Sequence, residues 1–170
     1  MNNFLIKFKN YGLLELLVFS SAIYVVGMLL WTASTRSAVE EKANTVKSNH
    51  KQIVDFINTE INNCNQGDEN SRTIWGDLCK DEWFSLKVIE YINNNMKMVN
   101  PYSSSRKILK QAQDPRLQAE GKAGQSTEMG VIFLSSKNFG SESGSEWIIG
   151  TCIKSPCVAA GNNELTSVYR

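Results

Sequence analysis

The chain has 170 residues, a formal net charge of +1 and four cysteines. Near-neutrality removes any general electrostatic case for nucleic acid or an anionic membrane surface as the main partner. Outside one N-terminal apolar stretch about 130 residues remain, enough for one domain with its own core but not for two.

Met1–Asn10 is short and basic, with Lys7 and Lys9, and Tyr11-Gly12 leads into LLELLVFSSAIYVVGMLLWTAST. Glu15 is the one acid near the start of this stretch, and no charge follows between Leu16 and Thr35. That is the length a bilayer-crossing helix needs, roughly 20 residues. A cleaved signal peptide has a shorter apolar core, about 7–15 residues. A surface helix of a soluble domain carries a polar stripe, which is missing here. Lys7 and Lys9 precede the span, and Arg36 and Lys42 follow it beside Glu40 and Glu41, although acids count little toward orientation; the small bias favours an N-terminus in the cytoplasm and the remainder outside.

From Ala38 to Cys64 there is neither proline nor glycine. Val39, Ala43, Val46, Ile53, Ile57 and Ile61 recur at helical spacing, with Cys64 closing the series. The helix is therefore expected to continue past the membrane and lay this stripe on a folded domain. Glu40, Lys47, Lys51 and Glu60 fall off the stripe, while His50 lies on it and reads as a packed histidine. Gly67 is the expected left-handed stop. A second helix is expected over Asp81–Asn95, capped by Asp81. Asn100-Pro101-Tyr102 punctuates the chain, and residues 103–127 read as polar and turn-rich.

The C-terminal third changes period. Met129–Ser135, Glu146–Ile153 and Glu164–Tyr169 are short and rich in β-branched and aromatic residues, separated by Gly140–Gly144 and Gly161-Asn162-Asn163. A further strand near Arg106–Gln111 makes an antiparallel sheet of three or four. The fold class is α+β: a long N-terminal helix whose second half covers one face of that sheet. The organisation expected is a leader, 1–10; a membrane half, 11–36; and a head, 37–170, that includes the amphipathic half 37–64.

Sequence closeness pairs Cys64 with Cys79 and Cys152 with Cys157, although four cysteines allow three pairings. The rival is a four-cysteine zinc site, whose tighter C-x₂₋₄-C spacing only Cys152 and Cys157 approach. No nucleophile motif surrounds a cysteine, and no phosphate loop or paired carboxylates stand out, so no catalytic residue, metal or cofactor is expected and the chain reads as no enzyme. Arg106, Lys107 and Lys110 form a basic cluster; edge lysines commonly guard a strand, and nucleic acid is the weaker reading.

These marks together resemble a type IV pilin: a basic leader, an apolar helix with a lone acid near its start, an amphipathic continuation on an antiparallel sheet, and a disulfide near the C-terminus. GLLELLV resembles the family's start motif. VKSNHKQIVDFINTEINNCN, NPY, TCIKSPCVA and the closing ELTSVY resemble one variety of bacterial pilin head. The resemblance implies cleavage between Asn10 and Tyr11, or after Gly12 as a second option, with N-methylation of the new terminus. It also implies that Glu15 receives the amine of an incoming subunit. The partners implied are copies of itself and other pilins in a helical filament, the prepilin peptidase, the pilus assembly machinery, and membrane lipid before assembly. The location implied is the bacterial inner membrane and then a cell-surface pilus. The chain departs from the family in having Asn10 where glycine is usual, in lacking a mid-helix proline, and in carrying Ser20-Ser21, Tyr24 and Trp31. These departures fit a minor subunit as well as a major one.

Overall fold

With no glycine or proline between Met28 and Gln66, nothing breaks the backbone ladder, and helix α1 runs unbroken over Leu13–Gln66, 54 residues. The computed structural model describes residues 12–68, 70–103, 107–122, 128–138 and 145–170. Two compact units divide between Glu40 and Glu41. In the second unit one face of α1 is buried: Ala43, Val46, His50, Ile53, Ile57 and Ile61 are at most 4% exposed, whereas Val39, in the first unit, is 44% exposed. The stripe expected from the sequence is thus the packed face, beginning at Ala43.

Helix α2 spans Ser85–Asn95 and buries Val88, Ile89 and Ile92. Strand β1 is Leu109–Gln111, helix α3 is Pro115–Ala119, and β2, β3 and β4 are Ile132–Asn138, Ser145–Cys152 and Asn163–Tyr169. The sheet has four strands in the order β1-β2-β3-β4. Leu134 pairs with Ile149 across β2 and β3, and Ile149 with Thr166 across β3 and β4, both antiparallel. Successive side chains alternate faces. Ile132, Leu134, Trp147, Ile149 and Val168 join Ile53, Ile57 and Ile61 of α1 in the main core, together with Trp83 and α2. Every residue of β3 is buried, because α3 covers the opposite face of the sheet. Gly150 allows this approach: a Cβ there would run into the carbonyl oxygen of Pro115.

The sheet is mostly antiparallel, and β1 departs from the expectation by running parallel to β2, with Leu109 opposite Ile132. A parallel neighbour needs a crossover rather than a hairpin. The chain between Gln111 and Ile132 supplies it and carries α3, which falls in the stretch expected to be turns. Its local signal was Asp114-Pro115: the Asp114 side chain accepts from Arg116 N at 2.9 Å, with proline at the first helical turn.

Four local expectations are corrected. Gly67 is not among the glycines with positive φ; a Cβ there would meet Asn63 O at 3.0 Å and Ser71 Oγ at 2.8 Å, so close approach is what it allows. Asp81 does not cap α2, whose N-cap position is Phe84 with no side-chain cap bond. Trp83 is 1% exposed, donates Nε1–H to Leu78 O at 3.3 Å and meets Trp75 edge-on at 5.0 Å, which holds this segment out of helix. Glu60 is buried rather than off the packed face; its Oε2 accepts from Ile74 N at 3.0 Å and ties the loop to the helix. The strand expected from Met129 begins at Ile132. Gly130 has φ 75°, and a Cβ there would collide with Asn100 Oδ1, so a turn occupies this point.

Asn93 closes the outer edge of β1. Its Nδ2 donates to Leu109 O at 2.9 Å and its Oδ1 accepts from Leu109 N at 3.3 Å, reproducing one rung of a strand partner. Asn93→Asp keeps the size but loses the donor. It is expected to lower unfolding free energy by about 1–3 kcal/mol, the cost of stranding a partly buried backbone group. Urea melts of the variant and the parent at neutral pH measure this directly.

Candidate assembly surface

The first unit exposes a continuous apolar cylinder. Leu17, Ile23, Tyr24, Leu29, Leu30 and Trp31 are 61–73% exposed. No stripe is reserved for the chain's own core, and by length and composition this is one helix able to cross a membrane. Its hydroxyls are satisfied within the helix: Ser20 Oγ donates to Leu17 O at 3.0 Å, Ser21 Oγ to Val18 O at 2.8 Å and Thr32 Oγ1 to Leu29 O at 3.0 Å. The Ser20-Ser21 pair therefore adds no unpaired donor to an apolar surface.

Glu15 occupies the third position of α1. Its Oε2 accepts from Gly12 N at 3.1 Å, while Leu16 N donates to Gly12 O at 3.2 Å. This is the glutamate half of a capping box, in which the acid reaches back to the N-cap amide. The spacing Gly12-x-x-Glu15 carried that signal in the sequence. A carboxylate here also meets the positive end of the helix dipole. Asn10 and Tyr11 lie outside the described residues; Gly12 is described and exposed.

The four cysteines form two bridges, Cys64–Cys79 and Cys152–Cys157, and none is free. The first ties the end of α1 to the loop before α2. The second closes a small loop containing the cis Ser155-Pro156 bond, which Asn162 holds by donating Nδ2–H to Pro156 O at 2.9 Å. The Asn-Pro-Tyr segment braces the same end. Asn100 Nδ2 donates to Met129 O at 3.1 Å, and Tyr102 OH donates to Ile153 O at 2.6 Å.

Among the described residues no cluster of three or more His, Cys, Asp or Glu is placed to hold a metal. The basic cluster is dispersed: Lys110 pairs with Glu128 at 2.7 Å, Lys107 is exposed, and Arg106 lies outside the described residues. No protein-family model, curated protein or solved structure matches the chain. What stands is a pilin-like architecture: a long apolar N-terminal helix, a four-stranded sheet packed on its continuation, and a C-terminal disulfide.

His50 is the buried titratable group of the helix–sheet contact. Its Nε2 shares a 2.9 Å hydrogen bond with Thr166 Oγ1 on β4, and Nδ1 has no partner among the described residues. Burial pushes the imidazole down from 6.5 to about 4. The unfolded chain then binds the extra proton first, so stability falls as pH drops from about 6.5 toward about 4 and is fully present above that window. At pH 4.5 the loss is expected to be roughly 2–3 kcal/mol relative to pH 7. In His50→Gln this part of the pH dependence disappears, read from urea unfolding at the two pH values.

Proposed function

We propose that this chain is a structural subunit, not an enzyme, of a type IV pilus or a related filament. It enters the bacterial inner membrane as a single pass with its N-terminus in the cytoplasm. It is then polymerised with copies of itself or other pilins, supporting adhesion, motility or DNA uptake. The observation that carries this reading is the form of α1: one uninterrupted helix whose first part buries nothing and whose second part is built into the core of a head. Apolar helices leave lipid only if they bury their surfaces against one another, which a filament core provides.

Glu15 is the assembly residue in this reading. The bond to Gly12 occupies Oε2 and leaves room at the other oxygen for the amine of an incoming subunit. In a low-dielectric core that pairing sets axial register. Cleavage before Tyr11 creates the amine, so processing and assembly are coupled. The alternative, a membrane-anchored binding domain that stays monomeric, draws on the same bond, since the carboxylate already serves its own helix. A secretion pseudopilus is a further variant of the filament reading.

Mass spectrometry of sheared surface filaments separates these readings, and the chain is expected there with an intact mass beginning at Tyr11. Recovery with Met1–Asn10 still attached would sink the coupling of cleavage to assembly. Glu15→Ala is expected to leave membrane levels and both disulfides unchanged. Its incorporation into filaments should fall by at least about tenfold, which corresponds to about 1.4 kcal/mol. Equal incorporation at equal membrane level leaves Glu15 as a helix cap only.

A further inference from the structure

The two edges of the sheet are treated differently. β1 is three residues long and its outer rung is filled by Asn93. β4 is seven residues long, contains neither proline nor lysine, and among the described residues pairs only with β3. Natural edges are usually blunted by shortness, lysine, proline or a cover, and among the described residues β4 has none of these.

The register settles which backbone groups β4 presents. Ser145 and Arg170 exchange both N–H···O bonds, at 3.2 and 2.9 Å, and Ile153 N donates to Asn162 O at 2.7 Å. Hydrogen-bonded pairs alternate along an antiparallel ladder. Hence Asn162, Glu164, Thr166, Val168 and Arg170 turn their backbone groups toward β3, and Leu165, Ser167 and Tyr169 turn theirs outward. Among the described residues no hydrogen bond reaches these outward groups. An open groove of about 460 Å³ between α1 and β4, lined by Lys47, His50, Lys51, Val54, Glu164 and Thr166 among others, lies on the helix side of this strand. Leu165 and Tyr169, on the face away from α1, are 47% and 68% exposed.

We propose that the outer edge of β4 is an interaction surface for a second copy of this chain, pairing antiparallel with Ser167 opposite Ser167 of the other copy. The sequence ELTSVYR is complementary to itself in this register. Leu165 faces Tyr169 in a hydrogen-bonded pair, joining two apolar side chains that each head leaves exposed. Glu164 faces Arg170 in the closer, non-hydrogen-bonded pair, so opposite charges meet on the helix side. Glu164 makes no ion pair among the described residues. Arg170 lies over the Trp83 ring at 3.9 Å and gives one N–H to Asp81 O at 2.8 Å, which fixes the guanidinium and leaves further donors. Only residues with outward backbone groups form the hydrogen-bonded pairs, so ladder, charge and apolar matching agree in one register. A one-residue slip would lose all of them.

The contact is isologous: it joins two copies and then closes. It cannot propagate the axial repeat of a filament. In the filament reading it links heads of neighbouring filaments, and it holds equally for tethered monomers, so it does not depend on polymerisation.

Cysteine pairing in the full-length chain, purified in detergent micelles and mildly oxidised, tests the register. Directly opposed Cα atoms in a hydrogen-bonded pair are about 5.5 Å apart, inside the range of about 4.4–6.8 Å that a disulfide accepts. Ser167→Cys is expected to give a covalent dimer. Leu165→Cys and Tyr169→Cys are each expected to stay monomeric, since like positions then lie four residues apart along the strands, about 14 Å. Mixed together, those two are expected to cross-link. Ser167→Pro removes the outward N–H together with the Ser167 Oγ bond to Glu146 Oε1 at 2.9 Å, a bond that Ser167→Ala removes alone. Relative to Ser167→Ala it should lower the dimer fraction by roughly tenfold or more, with both native disulfides kept. No dimer from Ser167→Cys, or equal cross-linking of Leu165→Cys alone, overturns the proposal. So does cross-linking of Ser167→Cys to a different protein in place of itself.

Discussion

The fold depends on one contact, the stripe of α1 from Ala43 to Ile61 laid across the inner face of the sheet. Ile53, Ile57 and Ile61 are each at most 4% exposed and share a core with Trp147, Ile149 and Leu134. A full burial of each such side chain contributes about 1.5–3 kcal/mol. Helix α2 and Trp83 extend this cover over β1 and β2, and a four-stranded sheet with an uncovered apolar face is not stable alone. The same helix supplies the exposed apolar surface of the first unit, so a single uninterrupted element carries both the core of the head and the membrane-length segment.

Around that contact, polar side chains do the work of missing backbone partners. Glu60 accepts from Ile74 N, Asn93 fills the outer rung of β1, and Asn100 reaches Met129 O. Each satisfies a backbone group that would otherwise be stranded where loops are pressed against the core. The aromatic side chains of the loop before α2 complete the arrangement. Trp75 and Trp83 meet edge to face, and Phe56 stacks on Tyr91 with centroids 5.9 Å apart. With the Cys64–Cys79 bridge, they convert a segment with little regular structure into part of the core boundary.

The molecule therefore presents two different uncommitted surfaces, and their physics differs. The apolar half of α1 is undirected and sticky, suited to lipid or to like helices, and its one charged side chain between Leu13 and Thr35 is the carboxylate at its N-terminal turn. The β4 edge is directional, because backbone hydrogen bonds admit a partner only in register. A chain with both combines undirected apolar contact with register-specific recognition. His50 lines the groove on the helix side of β4 and is bonded to Thr166 there.

What the sequence by itself determined is what short-range sterics and periodicity control. The absence of proline, and of glycine after Gly27, made α1 continuous, spacing by three and four marked its buried face, and β-branched runs located the strands to within a few residues. The proximity of cysteines in the chain anticipated both bridges. Only the tertiary structure decided matters set by what meets across long separations. β1 runs parallel because the chain crosses over through α3 before β2. Glu60 is buried because Ile74 brings an amide to it, and Gly67 is needed for closeness to Ser71 rather than for a left-handed turn. Asp81 loses its capping role because Trp83 is drawn into the core beside Trp75 and Trp147. The open edge of β4 could not be read from composition either. Which of its amides point outward follows from the pairing of Ser145 with Arg170, a contact between residues remote in the chain.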